Sequence, residues 1–153
     1  MKKILLLLGV VPLFAYATLG ENNASVIQDN QVLASKSSLV VTKQFNTQSL
    51  TNGTYTVSLI KASGDITVKE FVANDKVFAV AWNGVRNPDL QQLLGSHFTS
   101  FKASQPSYNS LTSREIKNTD LVVQTYGVIG DFHGLAYIPS LLPADVAPSD
   151  LIK

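Results

Sequence analysis

Two histidines and no cysteine set narrow limits on the chemistry this chain can do. His133 closes the run Asp131-Phe132-His133, so on an extended strand Asp131, His133, Leu135 and Tyr137 share one face. An aspartate two residues before a histidine can orient an imidazole as a general base, with Tyr137 as a further group on the same face. That chemistry also needs a nucleophile or substrate within reach. His97 sits among Leu93, Leu94 and Phe101 and reads as a packed histidine with one nitrogen satisfied. Trp82, Asn83 and Arg86 could form a binding lip, with Arg86 meeting an anionic partner. The competing reading is a Trp82 that caps the core beside a solvated Arg86, and large aromatics mostly pack.

Other constellations are missing from the sequence. A zinc site needs three or four ligands, and two histidines without cysteine or an HExxH run do not supply them, so no metal or cofactor is expected. There is no GxSxG, no GxGxxG and no phosphate loop. Gly127, Gly130 and Gly134 read as turn and bulge positions. The absence of cysteine excludes disulfides, a thiolate nucleophile and a lipid-anchoring cysteine.

The elements that must position these residues are legible from their periods. Thr54 to Ala62 alternates, with Tyr55, Val57 and Leu59 on one face and Thr54, Thr56 and Ser58 on the other. Ser63-Gly64-Asp65 is turn chemistry, Ile66 to Ala73 is the returning strand, and Asn74-Asp75 marks the next reversal. Val77 to Trp82 has no polar residue and predicts an interior strand covered on both sides. After the polar loop 83–87, Asn87 can cap a helix, Pro88 suits its first position, and Asp89 suits its positive end. Leu90, Leu93, Leu94, His97, Phe98 and Phe101 then form one stripe, with Gln91, Gln92, Gly95, Ser96, Thr99 and Lys102 opposite. Ala103 to Thr119 reads as loop, Asp120 to Tyr126 as a fourth strand, and Val128 to Ile138 as containing a fifth, ended by Pro139. Gly127 falls in the turn between those two strands, and Ser140 to Val146 forms a short packed tail turning at Pro143. A short helix over Ala24 to Ala34, capped by Asn22 or Asn23, precedes the polar connection 35–52, which could hold a brief strand at Leu39 to Val41. The fold expected is α+β: an antiparallel sheet of about five strands, ordered β-β-β-α-β-β, with one main amphipathic helix on a face and a short N-terminal helix.

The N-terminus predicts export. Lys2 and Lys3 precede the apolar run Ile4 to Phe14, and Ala15-Tyr16-Ala17 has the form that signal peptidase reads. The apolar run is short of the ~20 residues a span needs, so residues 1–17 read as a signal peptide rather than an anchor. Residues 18–153 then form a single exported domain, with 18–53 as N-terminal helix and polar connection and 54–143 as core. Without Lys2 and Lys3 the 12 basic residues fall to 10 against 11 acidic ones, which offers no footprint for nucleic acid. No later apolar run is long enough to cross a bilayer.

Three stretches carry a resemblance. Phe78-Ala79-Val80-Ala81-Trp82-Asn83-Gly84, Pro88-Asp89-Leu90-Gln91-Gln92-Leu93-Leu94-Gly95 and Phe132-His133-Gly134-Leu135-Ala136-Tyr137-Ile138-Pro139-Ser140-Leu141-Leu142-Pro143 resemble the bacterial family called domain of unknown function 2844. Leu19-Gly20 followed by Ala24-Ser25-Val26 is similar to the start of that family after its leader. His97 stands where a tyrosine is usual, Leu135 where an arginine is, and residues 35–52 have no counterpart. The resemblance implies a small exported bacterial protein, periplasmic or secreted and not a lipoprotein, with no activity assigned. The sequence therefore points to a non-enzymatic binding module with an envelope protein as its partner. The alternatives are a small hydrolase or transferase built on His133 and Asp131, and an inhibitor of an envelope enzyme.

Overall fold

The computed structural model describes residues 19–35, 45–50, 53–62, 64–104 and 113–152. The predicted leader and the brief strand at Leu39 to Val41 lie outside the described residues. The fold is α+β, as the sequence predicts. Helix α1 (Ala24–Ser35) precedes strands β1 (Phe45–Leu50), β2 (Gly53–Ala62), β3 (Ile66–Ala73) and β4 (Lys76–Gly84). Helices α2 (Leu90–Leu94) and α3 (Phe98–Ala103) follow, then β5 (Ser113–Lys117), β6 (Val122–Val128) and β7 (Asp131–Tyr137). The strands pair antiparallel in one sheet with the order β1-β2-β3-β4-β7-β6-β5.

Short turns set the registers. Asn74 and Asp75, with φ of 50° and 60°, form the two-residue link between Ala73 and Lys76, a left-handed pair suited to the twist of a hairpin. Ile129 and Gly130 also form a two-residue link, between Val128 and Asp131, but there only Gly130 is left-handed, with φ of 89°. Gly127, expected in that turn, instead lies inside β6 opposite Phe132. The hairpin is tighter than composition suggested, so the strand runs on past the glycine. Between β5 and β6, Asn118 accepts from the Asp120 and Leu121 amides at 3.1 and 2.7 Å and closes the turn.

The sheet has seven strands where about five were expected. The additional two, β1 and β5, are its edges. Both fall in stretches read from sequence as polar connection or loop. In β5 only Ile116 is buried, because an edge strand is held by its hydrogen-bond ladder and needs little apolar pattern.

Both faces of the central strands are covered. On one face Ile60, Val68, Val80, Trp82, Val123, Ala136 and Ile138 meet Val26 and Leu33 of α1 and Leu93, Leu94 and Phe101 of α2–α3. On the other, Tyr55, Phe71, Phe78, Ala79, Ala81 and Leu135 meet Val146 and Leu151 of the C-terminal tail. Tyr55 stands edge-on to Phe71 and Phe78, with ring centroids 5.8 and 5.9 Å away. A register shift places Phe78 as an extra residue between Val77, opposite Val72, and Ala79, opposite Phe71. Every residue from Val77 to Trp82 is buried, as its lack of polar residues predicts. In β2 the burial differs from the half-buried alternation expected, because Ser58 and Ile60 lie under the helices while Tyr55 lies under the tail.

The segment after Pro88 is not one continuous helix. α2 ends at Leu94, Gly95–His97 makes a 3-10 turn, and α3 resumes at Phe98. Asp89, not Asn87, is the N-cap, with its carboxylate accepting from the Gln91 and Gln92 amides at 3.0 and 3.2 Å. Leu93, Leu94 and Phe101 face the sheet as predicted, with Leu90 and Phe98 at the margin of the core. His97 is half-buried, consistent with a packed boundary histidine. Gln92, assigned to the outer side, is buried. α1 is capped by Asn22, whose Oδ1 accepts from the Ala24 amide at 3.1 Å.

Candidate functional site

His133 lies on β7 and Tyr126 on β6, directly opposite one another. Their rings stack with centroids 5.1 Å apart and planes 7° from parallel. Asp131 Oδ1 lies 2.9 Å from His133 Nε2, so the aspartate two residues back does orient the imidazole. Strand alternation puts His133 on the tail side of the sheet with Leu135, beside Asn83 of β4. Asn83, Tyr126 and His133 border a cleft of about 240 Å³, lined also by Lys69, Ala81, Trp82, Gly134, Leu151 and Ile152. The imidazole therefore faces a cleft and not the core. Tyr137 sits two residues beyond Leu135, about 13 Å along the strand from His133, and does not line it.

The cleft offers hydrogen-bond donors on Lys69 and Asn83, with the Tyr126–His133 pair as a flat wall. Among the described residues no serine or threonine lines it, and the one hydroxyl beside the imidazole is that of Tyr126. The sequence does contain a Ser-x-x-Lys spacing at Ser58-Leu59-Ile60-Lys61, but it lies on a strand. Ser58 is buried under the helices, while Lys61 is exposed and donates to Thr67 Oγ1 at 2.9 Å. Residues three apart on a strand point to opposite faces, so these two cannot act together.

The Trp82 to Asn87 loop is divided between core and surface. The Trp82 side chain is 3 % exposed and its ring lies over Gly134, its cross-strand partner. Its Nε1 donates to Asn87 Oδ1 at 3.0 Å. The indole caps the core, and Trp82 also counts among the lining of the His133 cleft. Asn83 and Arg86 are at the surface on opposite sides of the indole. Asn83 belongs to the His133 cleft, whereas Arg86 borders a second cleft of about 290 Å³ with Leu33, Ile66, Asn87, Pro88 and Asp89. The three residues singled out here do not form one site.

Sequence reasoning missed a buried polar cluster. Asp29 of α1, Glu70 of β3 and Gln92 of α2 are 1 %, 0 % and 4 % exposed. Gln92 Nε2 donates to Asp29 Oδ1, while Asp29 Oδ2 and both Glu70 oxygens have no donor among the described residues. Burial first, then the negative charge of Asp29, pushes the Glu70 carboxyl well above the ordinary carboxylate range. Burial likewise raises Asp29 to about 6, against the opposing pull of Gln92. The signal was present in the spacing. Asp29 falls on the helical stripe between Val26 and Leu33, and Glu70 alternates with Ile66, Val68 and Val72 on the inward face of β3. Among the described residues no three His, Asp or Glu side chains are grouped to hold a metal ion, and no helix is long and apolar enough to cross a membrane.

A covered antiparallel sheet with a small, donor-rich cleft at one end of its central strands defines an α+β domain with a surface recess. The chain belongs to the family described as "Protein of unknown function (DUF2844)", which matches residues 15–151. No curated protein and no solved structure matches it.

Proposed function

We propose that this protein is exported and acts as a non-enzymatic binding module, with the cleft at Tyr126 and His133 as its contact point for an envelope protein. Export rests on the leader sequence: Lys2 and Lys3, the apolar run to Phe14, and Ala15-Tyr16-Ala17. The observation that carries the binding role is the Tyr126–His133 stack, locked by Asp131, on the wall of a cleft that also holds Lys69 and Asn83. A recess of about 240 Å³ is smaller than a typical cofactor site and suits one projecting side chain of a partner. The lysine and amide donors favour an acidic or carbonyl-bearing group.

The test is capture from envelope extract with the mature chain as bait, comparing wild type with Tyr126→Ala and His133→Ala. Both variants fold on this account, because the two side chains lie on the cleft wall. Loss of a specific band in both is expected, and unchanged recovery would reject the cleft as the contact. One observation favours hydrolysis or group transfer instead, the 2.9 Å Asp131–His133 contact. That reading requires a turnover abolished by His133→Ala, whereas stoichiometric blockade of an envelope enzyme without turnover would make the module an inhibitor.

A further inference from the structure

The Asp29–Glu70 pair joins two layers of the fold, and among the described residues that act on it none supplies a compensating charge. Asp29 is the only titratable residue of α1. Across the sheet from Glu70 stand Ser58 on β2 and Val80 on β4, neither of which titrates near neutral pH. Lys69, next to Glu70 in sequence, lines the cleft on the opposite face. From α2 the cluster receives only the Gln92 amide, while the charged cap Asp89 is exposed. The groups that act on Glu70 come from Asp29, and those on Asp29 from Gln92 and Glu70, with no lysine, arginine or histidine among them.

Two facing carboxylates buried without a cation cannot both carry charge at an acceptable cost. One proton between them resolves the problem. A protonated Glu70 can donate to the orphaned Asp29 Oδ2, while Gln92 serves Oδ1. We propose that Asp29 and Glu70 share a single proton, and that this proton is the latch holding α1 against the sheet. When it leaves, two like charges face each other across the α1–β3 contact, and α1 lifts away. The helix is the element that gives, because among its described side chains only Val26 and Leu33 are buried besides Asp29, whereas β3 is laddered on both sides.

The sign follows from linkage. Both carboxyls bind their protons more tightly in the docked state than in an exposed chain. The stabilisation is therefore complete in acid, below the ordinary carboxylate range. It begins to fall as pH passes about 6, where the pair drops to the one shared proton, and is lost on through the higher range of Glu70, where that proton leaves. Docking of α1 weakens towards alkaline pH.

The experiment is amide hydrogen exchange on the mature chain from pH 5 to pH 9, corrected for intrinsic exchange rates. Protection of the α1 amides should fall by about tenfold or more over that range, while β3 and β4 amides hold theirs. Glu70→Gln keeps a donor for Asp29 and removes the second charge, so its α1 profile should be flat. Asp29→Asn gives the same reading if Glu70→Gln fails to fold. A flat wild-type profile, or an unchanged slope in the folded variant, overturns the latch. So does a rise in α1 protection on adding calcium or magnesium chloride at alkaline pH that Glu70→Gln abolishes, since a cation would then hold the pair.

Discussion

The indole nitrogen of Trp82 donates to the side-chain oxygen of Asn87 at 3.0 Å, across the loop that links the sheet to the helices. Asn87 is therefore occupied as an anchor, and Asp89 caps α2 in its place. The two residues do different work although they are two positions apart. Asn87→Ala strands the indole N–H and should cost about 1–3 kcal/mol. Asp89→Ala removes a helix cap and should cost about 1 kcal/mol. Urea unfolding followed by tryptophan fluorescence separates them, because only Asn87→Ala should also shift the native emission. Equal spectra in both variants would remove the anchor role.

Trp82 and Gly134 form a second dependency. A β-carbon at Gly134 would lie 2.0 Å from Cζ2 of the indole and 2.2 Å from Cε2, so the ring has to move. Gly134→Ala should destabilise by about 3 kcal/mol or more, at the upper end of overpacking costs. In a Trp82→Leu background the same substitution should be much milder. A double-mutant cycle measures the coupling, and additive effects would show that the ring does not rest on that backbone.

Two glycines of the β6–β7 hairpin differ in what a side chain would meet. Gly130 has a positive φ of 89° with open space around it, so Gly130→Ala should lose only about 1 kcal/mol through backbone strain. At Gly127 a β-carbon would sit 2.1 Å from the Asp131 carbonyl oxygen, and Gly127→Ala should break the hairpin. Loss of the Tyr126–His133 stack would follow. Thermal melts rank the two, and a Gly127→Ala protein as stable as Gly130→Ala would contradict this placement.

The sheet interior was readable because its residues obey simple periods. Val77 to Trp82 has no polar residue, Ile66 to Ala73 alternates at its start, and Asn74-Asp75 is a turn by composition. The edges were not readable, since β1 and β5 are polar and their order comes from a neighbour's backbone. His133 and Asp131 were placed on a shared face by alternation alone. Tyr126 could not be, because its position opposite His133 depends on a two-residue turn at Ile129 and Gly130 and not on one at Gly127. Gln92 is assigned outward by its place on the polar side of the stripe, and Asp29 and Glu70 carry no motif that singles them out, although both lie in phase with buried neighbours.

The strand order has a kinetic consequence. β1 to β4 are consecutive in sequence and in space, as are β5 to β7, so each half can zip up through its own turns. Among the described strands the β4–β7 ladder alone joins strands distant along the chain, with α2, α3 and the β5–β6 hairpin between them. Contacts of that separation form late, since chain entropy must be lost before they reward it. Folding should thus run as two sub-sheets that assemble early and merge at a seam running from Ala79–Tyr137 to Gly84–Phe132. Substitutions along that seam should speed unfolding far more than they slow folding.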